Sequence, residues 1–149
     1  MDDRKKVGSA KVKDADMKAL LGIETLDHLK LAKKVEAGLS FAAFERVGRV
    51  SGLSTEALRS AIRLAPRTLA RRRKENRLSP EESDRLVTVS RLLSLAIKLF
   101  DGDIHAALKW FTSNNRALGG ATPLNVASTE VGSREVEALI GRLEYGVFS

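Results

Sequence analysis

Three basic side chains near the middle of the sequence are spaced so that a single helix would present them together. Arg67, Arg71 and Lys74 fall on one face when each residue advances by about 100°, and Leu69 falls on the opposite face. Arginine can bond a guanine edge through two parallel hydrogen bonds, and neighbouring cations can bind phosphates. The spacing therefore favours a helix that inserts into the major groove of DNA. The plainer alternative is a basic helix that only faces solvent.

Two short helices joined by a tight turn would position these cations. Ser54 is a good N-cap for a first helix at 55–61, because its hydroxyl can accept a hydrogen bond from the first turn. Residues 62–64 form the turn, and Pro66 suits the first position of a second helix at 66–75. This arrangement is typical of a helix-turn-helix, whose second helix reads base edges in the groove.

Positive charge is concentrated in the same region. The chain carries a formal net charge of +7, and residues 41–78 alone hold ten Lys/Arg against three Asp/Glu. Residues 1–40 have a net charge of +2, and residues 79–149 have a net charge of −2. Arg72 and Arg73 lie at the sides of the second helix and are candidate phosphate contacts. A basic module followed by a domain of different character is expected of a nucleic-acid-binding protein.

The remaining sequence favours helices throughout. Apolar spacing or capping residues predict further helices at 25–37, 41–50, 80–100, 104–111, 124–127 and 129–144. The most specific start is Ser79-Pro80-Glu81-Glu82, a capping box with proline in the first helical position. No run alternates as a strand would, so an all-α fold is predicted. We expect a flexible segment at 1–20, a helix-turn-helix DNA-binding domain at 21–78 and a helical domain at 79–149.

Residues with catalytic or metal-binding chemistry are not grouped anywhere in the sequence. His28 and His105 fall in unrelated helices without a ligand pattern, and the chain has no cysteine. Glu81, Glu82 and Asp84 are better explained as carboxylates at a helix start than as an acid–base pair. We therefore predict that the protein is not an enzyme and has no catalytic residue, metal ligand or cofactor. Without an apolar run of about 18 residues or a leader peptide, it is expected in the cytoplasm and away from membranes.

Several motifs resemble those of one antitoxin family, over roughly residues 38–149. The basic region carries RTLARRR followed by LSPEESDRL, and the C-terminal half carries LGGATPL followed by GRLEYGV. In this order they resemble the Xre-type helix-turn-helix and the toxin-binding C-terminal domain of the MbcA/ParS/Xre antitoxins. The resemblance implies a protein that neutralises a cognate RES-domain toxin, which depletes NAD, by covering the entrance of its active site. It also implies binding to operator DNA of its own operon and repression of that promoter.

The resemblance assigns residues to both binding roles. The exposed part of the recognition helix is matched by Arg67, Thr68, Arg71 and Lys74. The tail that meets the toxin is matched by Arg142, Glu144, Tyr145, Gly146, Val147, Phe148 and Ser149. Apolar side chains near a fraying chain end gain little by themselves, so a groove on a partner would explain Tyr145, Val147 and Phe148. The alternative is that these side chains pack on the protein's own C-terminal lobe.

Two residues of the helix-turn-helix depart from the family pattern. Arg63 stands where glycine is frequent, and Ala65 stands in the capping position where serine or threonine is usual. Each departure would cost about 1 kcal/mol, the first if Arg63 has a positive φ. Two rival interpretations also stay open. One is a stand-alone repressor with a ligand-sensing or dimerising C-terminal domain, and the other is an interaction module whose helix-turn-helix no longer binds DNA.

A homodimer within a larger toxin–antitoxin complex is expected for two reasons. One recognition helix reads only a few base pairs, and helix-turn-helix proteins usually pair to read two half-sites. The apolar face at 86–100, together with Trp110, also exceeds what a lone helix needs.

Overall fold

The computed structural model describes residues 17–24 and 27–146, and these residues form helices and loops without a β-strand. Nine α-helices lie in this part of the chain. They are α1 Met17–Leu21, α2 His28–Ala37, α3 Phe41–Ser51, α4 Thr55–Ala61, α5 Pro66–Glu75, α6 Pro80–Leu99, α7 Ile104–Phe111, α8 Pro123–Val126 and α9 Glu130–Glu144. A 3₁₀ turn, Arg116–Leu118, precedes α8. The predicted all-α fold is confirmed.

Polar residues placed one position before the helices explain where most of them begin. A side-chain oxygen accepts a hydrogen bond from a first-turn N–H at Ser40, Ser54, Asp103, Thr122 and Thr129. The predicted capping box of α6 is present, because Ser79 accepts from the Glu82 N–H and Glu82 accepts from the Ser79 N–H. Gly52 ends α3 with a left-handed φ of 88°. Local capping chemistry therefore accounts for most of the predicted helix boundaries.

Helix α6 is the centre of the hydrophobic core. It packs against α1 and α2 from the N-terminal half and against α7 and α9 from the C-terminal half. Its Leu86, Leu92 and Leu93 are fully buried, and they belong to one buried cluster that extends from Leu20 to Ile140. The predicted domain boundary at 78/79 immediately precedes this helix. One core thus joins the two predicted domains.

Two expectations about the N-terminal half need correction. Residues 17–20, predicted to be flexible, lie in α1, where Leu20 and Leu21 are buried. Helix α1 packs against α3 and α6, so the prediction is wrong for residues 17–20. Residues 1–16 lie outside the described part of the chain. The helix predicted from residue 25 begins at His28, behind the cap Asp27, and residues 25 and 26 lie outside the described part of the chain.

The apolar face of α6 is largely used inside the chain. Its central leucines are covered by the neighbouring helices, while Leu99 and Phe100 are half-buried. Trp110 is also half-buried, with its ring 6.4 Å from those of Phe100 and Phe111. The C-terminal end of this face therefore stays partly exposed together with Trp110, and the homodimer remains a prediction.

Candidate nucleic-acid interface and C-terminal surface

Helices α4 and α5 form the predicted helix-turn-helix. The turn between them buries Ile62 and Leu64, whereas Arg63 is exposed with a left-handed φ of 58°. Ala65 occupies the N-cap of α5 and offers no side-chain hydrogen bond. Both departures from the family pattern therefore have their expected structural consequence, a strained turn residue and an uncapped helix start.

Two arginines that the sequence did not single out hold this turn. Arg59 of α4 donates to the Leu64 carbonyl and forms an ion pair with Glu56. Arg85 of α6 donates to the Ile62 carbonyl over 3.3 Å. Ile62 is the C-cap of α4, where carbonyls lack helical partners, and Leu64 lies in the turn, so the two bonds give a partner to one helix-end carbonyl and one turn carbonyl. Helical spacing could not identify either arginine, because each bond crosses a turn or joins separate helices.

The outer side of α5 carries the predicted base-reading cations. The side chains of Arg67, Arg71 and Lys74 are exposed, and none of these side chains forms a hydrogen bond or ion pair with another described residue. Thr68 is half-buried beside them, and Leu69 is half-buried against the core, as predicted. The three charges are therefore available to a polyanion such as the DNA backbone.

Arg72 points away from that side. Its guanidinium makes two hydrogen bonds to Glu82 at the start of α6, with Nε 2.8 Å from Oε1 and Nη2 3.0 Å from Oε2. It also pairs with Glu75 at 3.3 Å. Burial by itself raises the pKa of Glu82, but the hydrogen bonds from Arg72 and Ser79 outweigh it and hold that pKa below its ordinary range. Arg72, a predicted phosphate contact, is thus engaged in an internal ion pair.

Arg73 is also engaged within the chain, although it stays exposed. Its guanidinium carbon lies 5.2 Å from the centre of the Phe41 ring, a cation–π arrangement. Phe41 is buried and stacks on Phe44 with ring centres 5.2 Å apart. This contact attaches α5 to α3 and leaves the cation within reach of solvent.

The candidate toxin-binding residues lie only partly within the described chain. Those described are Arg142, Glu144, Tyr145 and Gly146. Arg142 is half-buried and the other three are exposed, with Tyr145 at 79%. Gly146 has a left-handed φ of 69°, which ends α9. The remaining three, Val147, Phe148 and Ser149, lie outside the described residues. Tyr145 does not pack on the protein's own lobe, so for this residue the alternative of internal packing is wrong.

A second exposed apolar residue lies on the same side of α9 as Tyr145. Val131 is 76% exposed, and the two residues are separated by about four helical turns. Ala138, between them on this side, is exposed as well. The outer side of α9 therefore presents an extended surface that leads towards the tail.

Metal-binding and membrane-spanning features were sought in the described part of the chain. There, no group of three or more His, Asp or Glu side chains is arranged to hold a metal ion. None of the described helices is long and apolar enough to cross a membrane.

Known antitoxins match the chain in two consecutive parts. Residues 30–91 match the antitoxin Xre-like helix-turn-helix domain, and residues 95–146 match the antitoxin Xre/MbcA/ParS C-terminal toxin-binding domain. A protein named Antitoxin Xre, from Yersinia enterocolitica, is 34% identical over 120 residues, which cover 80% of this chain and 81% of the relative. Another Antitoxin Xre, from Photorhabdus laumondii, is 36% identical over 75 residues, which cover 50% and 51%. The two domain matches meet within α6.

Proposed function

The chain belongs to the Xre antitoxin family, with a helix-turn-helix domain followed by a toxin-binding domain, and on that premise we propose that it has two separate binding activities. One neutralises a RES-domain toxin that depletes NAD. The other binds the promoter of its own operon and represses it. The observation that carries the proposal is that each matched domain has its own exposed surface, the cations of α5 in one and the outer side of α9 in the other.

The DNA-binding activity follows from the chemistry of the outer side of α5. Arg67 and Arg71 face base edges, where each can bond the O6 and N7 atoms of a guanine. Thr68 and Lys74 lie beside them, and Arg73 can bind a phosphate while it stacks on Phe41. A homodimer is required to read two half-sites about 34 Å apart. Repression follows when the dimer occupies the promoter.

The toxin-binding activity uses the end of α9 and the residues that follow it. A site that binds a dinucleotide offers flat slots for rings, and the exposed ring of Tyr145 fits such a slot. The sequence supplies Phe148 as a second aromatic residue for the same role. Arg142 and Glu144 supply polar contacts around it, and Val131 extends the apolar contact along the helix. Residues 142–149 thereby cover the entrance of the toxin's active site and keep NAD out.

Two variants with opposite expected effects test these activities together. Removing residues 145–149 should abolish protection against the protein encoded by the neighbouring reading frame and leave binding to the upstream DNA unchanged. Changing Arg67 and Arg71 to glutamate should abolish that DNA binding and leave protection unchanged. The positive controls for the wild type are co-purification with the neighbouring protein and inhibition of its NAD consumption.

Each outcome bears on one activity. A truncated chain that still protects cells and still blocks NAD consumption would refute the role of the tail. A doubly reversed chain that keeps its affinity for the upstream DNA would refute the groove assignment. A wild-type chain that binds DNA but co-purifies with no neighbouring protein would instead be a stand-alone repressor.

A further inference from the structure

The recognition helix α5 has little packing of its own to hold it in place. None of its ten residues, all of them described, is buried, and Leu69 is half-buried against the core. The N-cap residue Ala65 adds no side-chain hydrogen bond. A helix that reads bases must nevertheless keep one rotation about its axis, because turning it moves every side chain away from its base edge. Apart from Leu69, the contacts that can fix this rotation are those of Arg73 with Phe41 and of Arg72 with Glu82.

The ion pair between Arg72 and Glu82 is well placed to do so. Its two hydrogen bonds, of 2.8 Å and 3.0 Å, fix both the distance and the plane of the guanidinium. The side chains of Arg72 and Glu82 are only 19% and 9% exposed, so water competes weakly for them. Around the helix, Arg72 lies about 100–160° from Arg67, Arg71 and Lys74. Directing Arg72 towards Glu82 therefore turns those three cations outward.

Glu82 is itself held firmly by α6. Its Oε1 accepts a hydrogen bond of 2.8 Å from the Ser79 N–H in addition to the one from Arg72. The Glu82 N–H in turn donates to the Ser79 hydroxyl over 3.1 Å. These bonds give the carboxylate a single orientation, and α6 is fixed by the core on both sides. The position of Arg72 is therefore set by the most firmly packed helix of the chain.

We propose that Glu82 is a positioning residue for DNA recognition, which sets the rotation of α5 through Arg72 without touching DNA itself. The proposal rests on the DNA-binding activity proposed above, and it changes the role of Arg72 from phosphate contact to structural link. If the proposal holds, the loss of this ion pair lowers the discrimination between DNA sequences without lowering the general affinity for DNA. Releasing Arg72 removes the orientation that base contacts need, but it leaves every cation of α5 able to attract phosphates.

Glu82→Gln tests the proposal, with Glu81→Gln as the matched control. Glutamine keeps an acceptor for the Ser79 N–H but removes the charge that holds Arg72, whereas Glu81→Gln removes the same charge from the adjacent, exposed position. Affinity is measured over a range of salt for a duplex from the protein's own upstream region and for a duplex of shuffled sequence. Glu82→Gln should weaken binding to the upstream duplex by about tenfold or more and leave the shuffled duplex bound as well or better. Glu81→Gln should change both affinities alike.

Substitutions of Arg72 form a second set of variants that leaves the capping box intact. If Glu82→Gln loses its helical circular dichroism and so does not fold, Arg72→Lys becomes the variant that tests the proposal. On the proposal, Arg72→Lys and Arg72→Ala both lose discrimination between the duplexes and keep the wild-type salt slope. If Arg72 bound a phosphate instead, lysine would retain affinity and alanine would reduce the slope by about 0.9.

The results that overturn the proposal are distinct from those that overturn DNA recognition itself. Folded Glu82→Gln protein that discriminates as well as wild type, or that loses affinity for both duplexes equally, overturns the role of Glu82. A wild-type chain that does not distinguish the two duplexes overturns the DNA-recognition function on which that role rests.

Discussion

Replacing either of two glycines in α9 by alanine should change stability in opposite directions. A Cβ at Gly132 would lie 1.8 Å from the Val126 carbonyl oxygen and 2.9 Å from its carbonyl carbon. Val126 ends α8, and only residues 127–129 connect it to α9, so neither backbone can move without disturbing the other. Gly132→Ala should therefore lower the free energy of unfolding by about 3 kcal/mol or more.

Gly141 is the matched control in the same helix. A Cβ there would meet no described atom within 4 Å. Alanine in a helix interior is favoured over glycine by about 1 kcal/mol, so Gly141→Ala should raise the free energy of unfolding by roughly that amount. Both substitutions restrict the unfolded chain equally, and the expected difference of about 4 kcal/mol therefore comes from the native contacts.

Thermal and urea unfolding, followed by far-UV circular dichroism, measure the difference. For a chain of this length, 1 kcal/mol shifts Tm by about 2–4 °C. Gly141→Ala should raise Tm by that amount, and Gly132→Ala should lower it by about 6–12 °C, with the urea m-value unchanged in both. A Gly132→Ala protein as stable as wild type would refute the close approach of α8 and α9. A destabilised Gly141→Ala protein would refute the open space around Gly141.

Three further predictions concern the binding surfaces and the ion pair. Arg67→Ala and Arg71→Ala should each cost about 1–3 kcal/mol of affinity for upstream DNA in mobility shifts, and an unchanged affinity would contradict base contact. Tyr145→Ala should cost about 2 kcal/mol of toxin affinity by calorimetry, roughly thirtyfold, while Tm stays constant because the side chain is 79% exposed. The pKa of Glu82 is lower in the folded state than in the unfolded state, so its ionised carboxylate stabilises the fold. This stabilisation is fully present above the unfolded-state pKa of about 4.3 and is lost as the pH falls through the folded-state pKa. The difference in unfolding free energy between wild type and Glu82→Gln should therefore shrink below that pH, and a constant difference in urea titrations would count against the ion pair.

Local sequence patterns were sufficient to predict the helix-turn-helix and the start of α6. Ser54, Pro66 and Ser79 act on residues within one turn of themselves, so their effect does not depend on the rest of the fold. The positive φ of Arg63 was considered only as a condition, because glycine is frequent at this position in the family that the chain resembles, and the structure meets that condition.

The contacts that hold the recognition helix could not be predicted in this way. Arg72 and Glu82 are ten residues apart in different helices, and their meeting depends on the angle between α5 and α6. Helical spacing placed Arg72 at the side of α5 but could not distinguish a phosphate from a carboxylate as its partner. Helix α1 escaped prediction because five residues show too little periodicity, and because Leu20 and Leu21 are buried by packing with distant helices.

The position of α6 between the two halves has a consequence for the lifetime of the antitoxin. Because this helix contributes buried residues to a core shared by both halves, unfolding of either half would expose apolar side chains that the other half helps to bury. A ligand that binds only the folded chain, at a hundred times its Kd, adds about 2.7 kcal/mol to the unfolding free energy of the whole core. Toxin bound at α9 would therefore protect the helix-turn-helix from proteases, and DNA bound at α5 would protect the toxin-binding half. Toxin neutralisation and promoter occupancy would then have the same lifetime, because both would end when this single core unfolds.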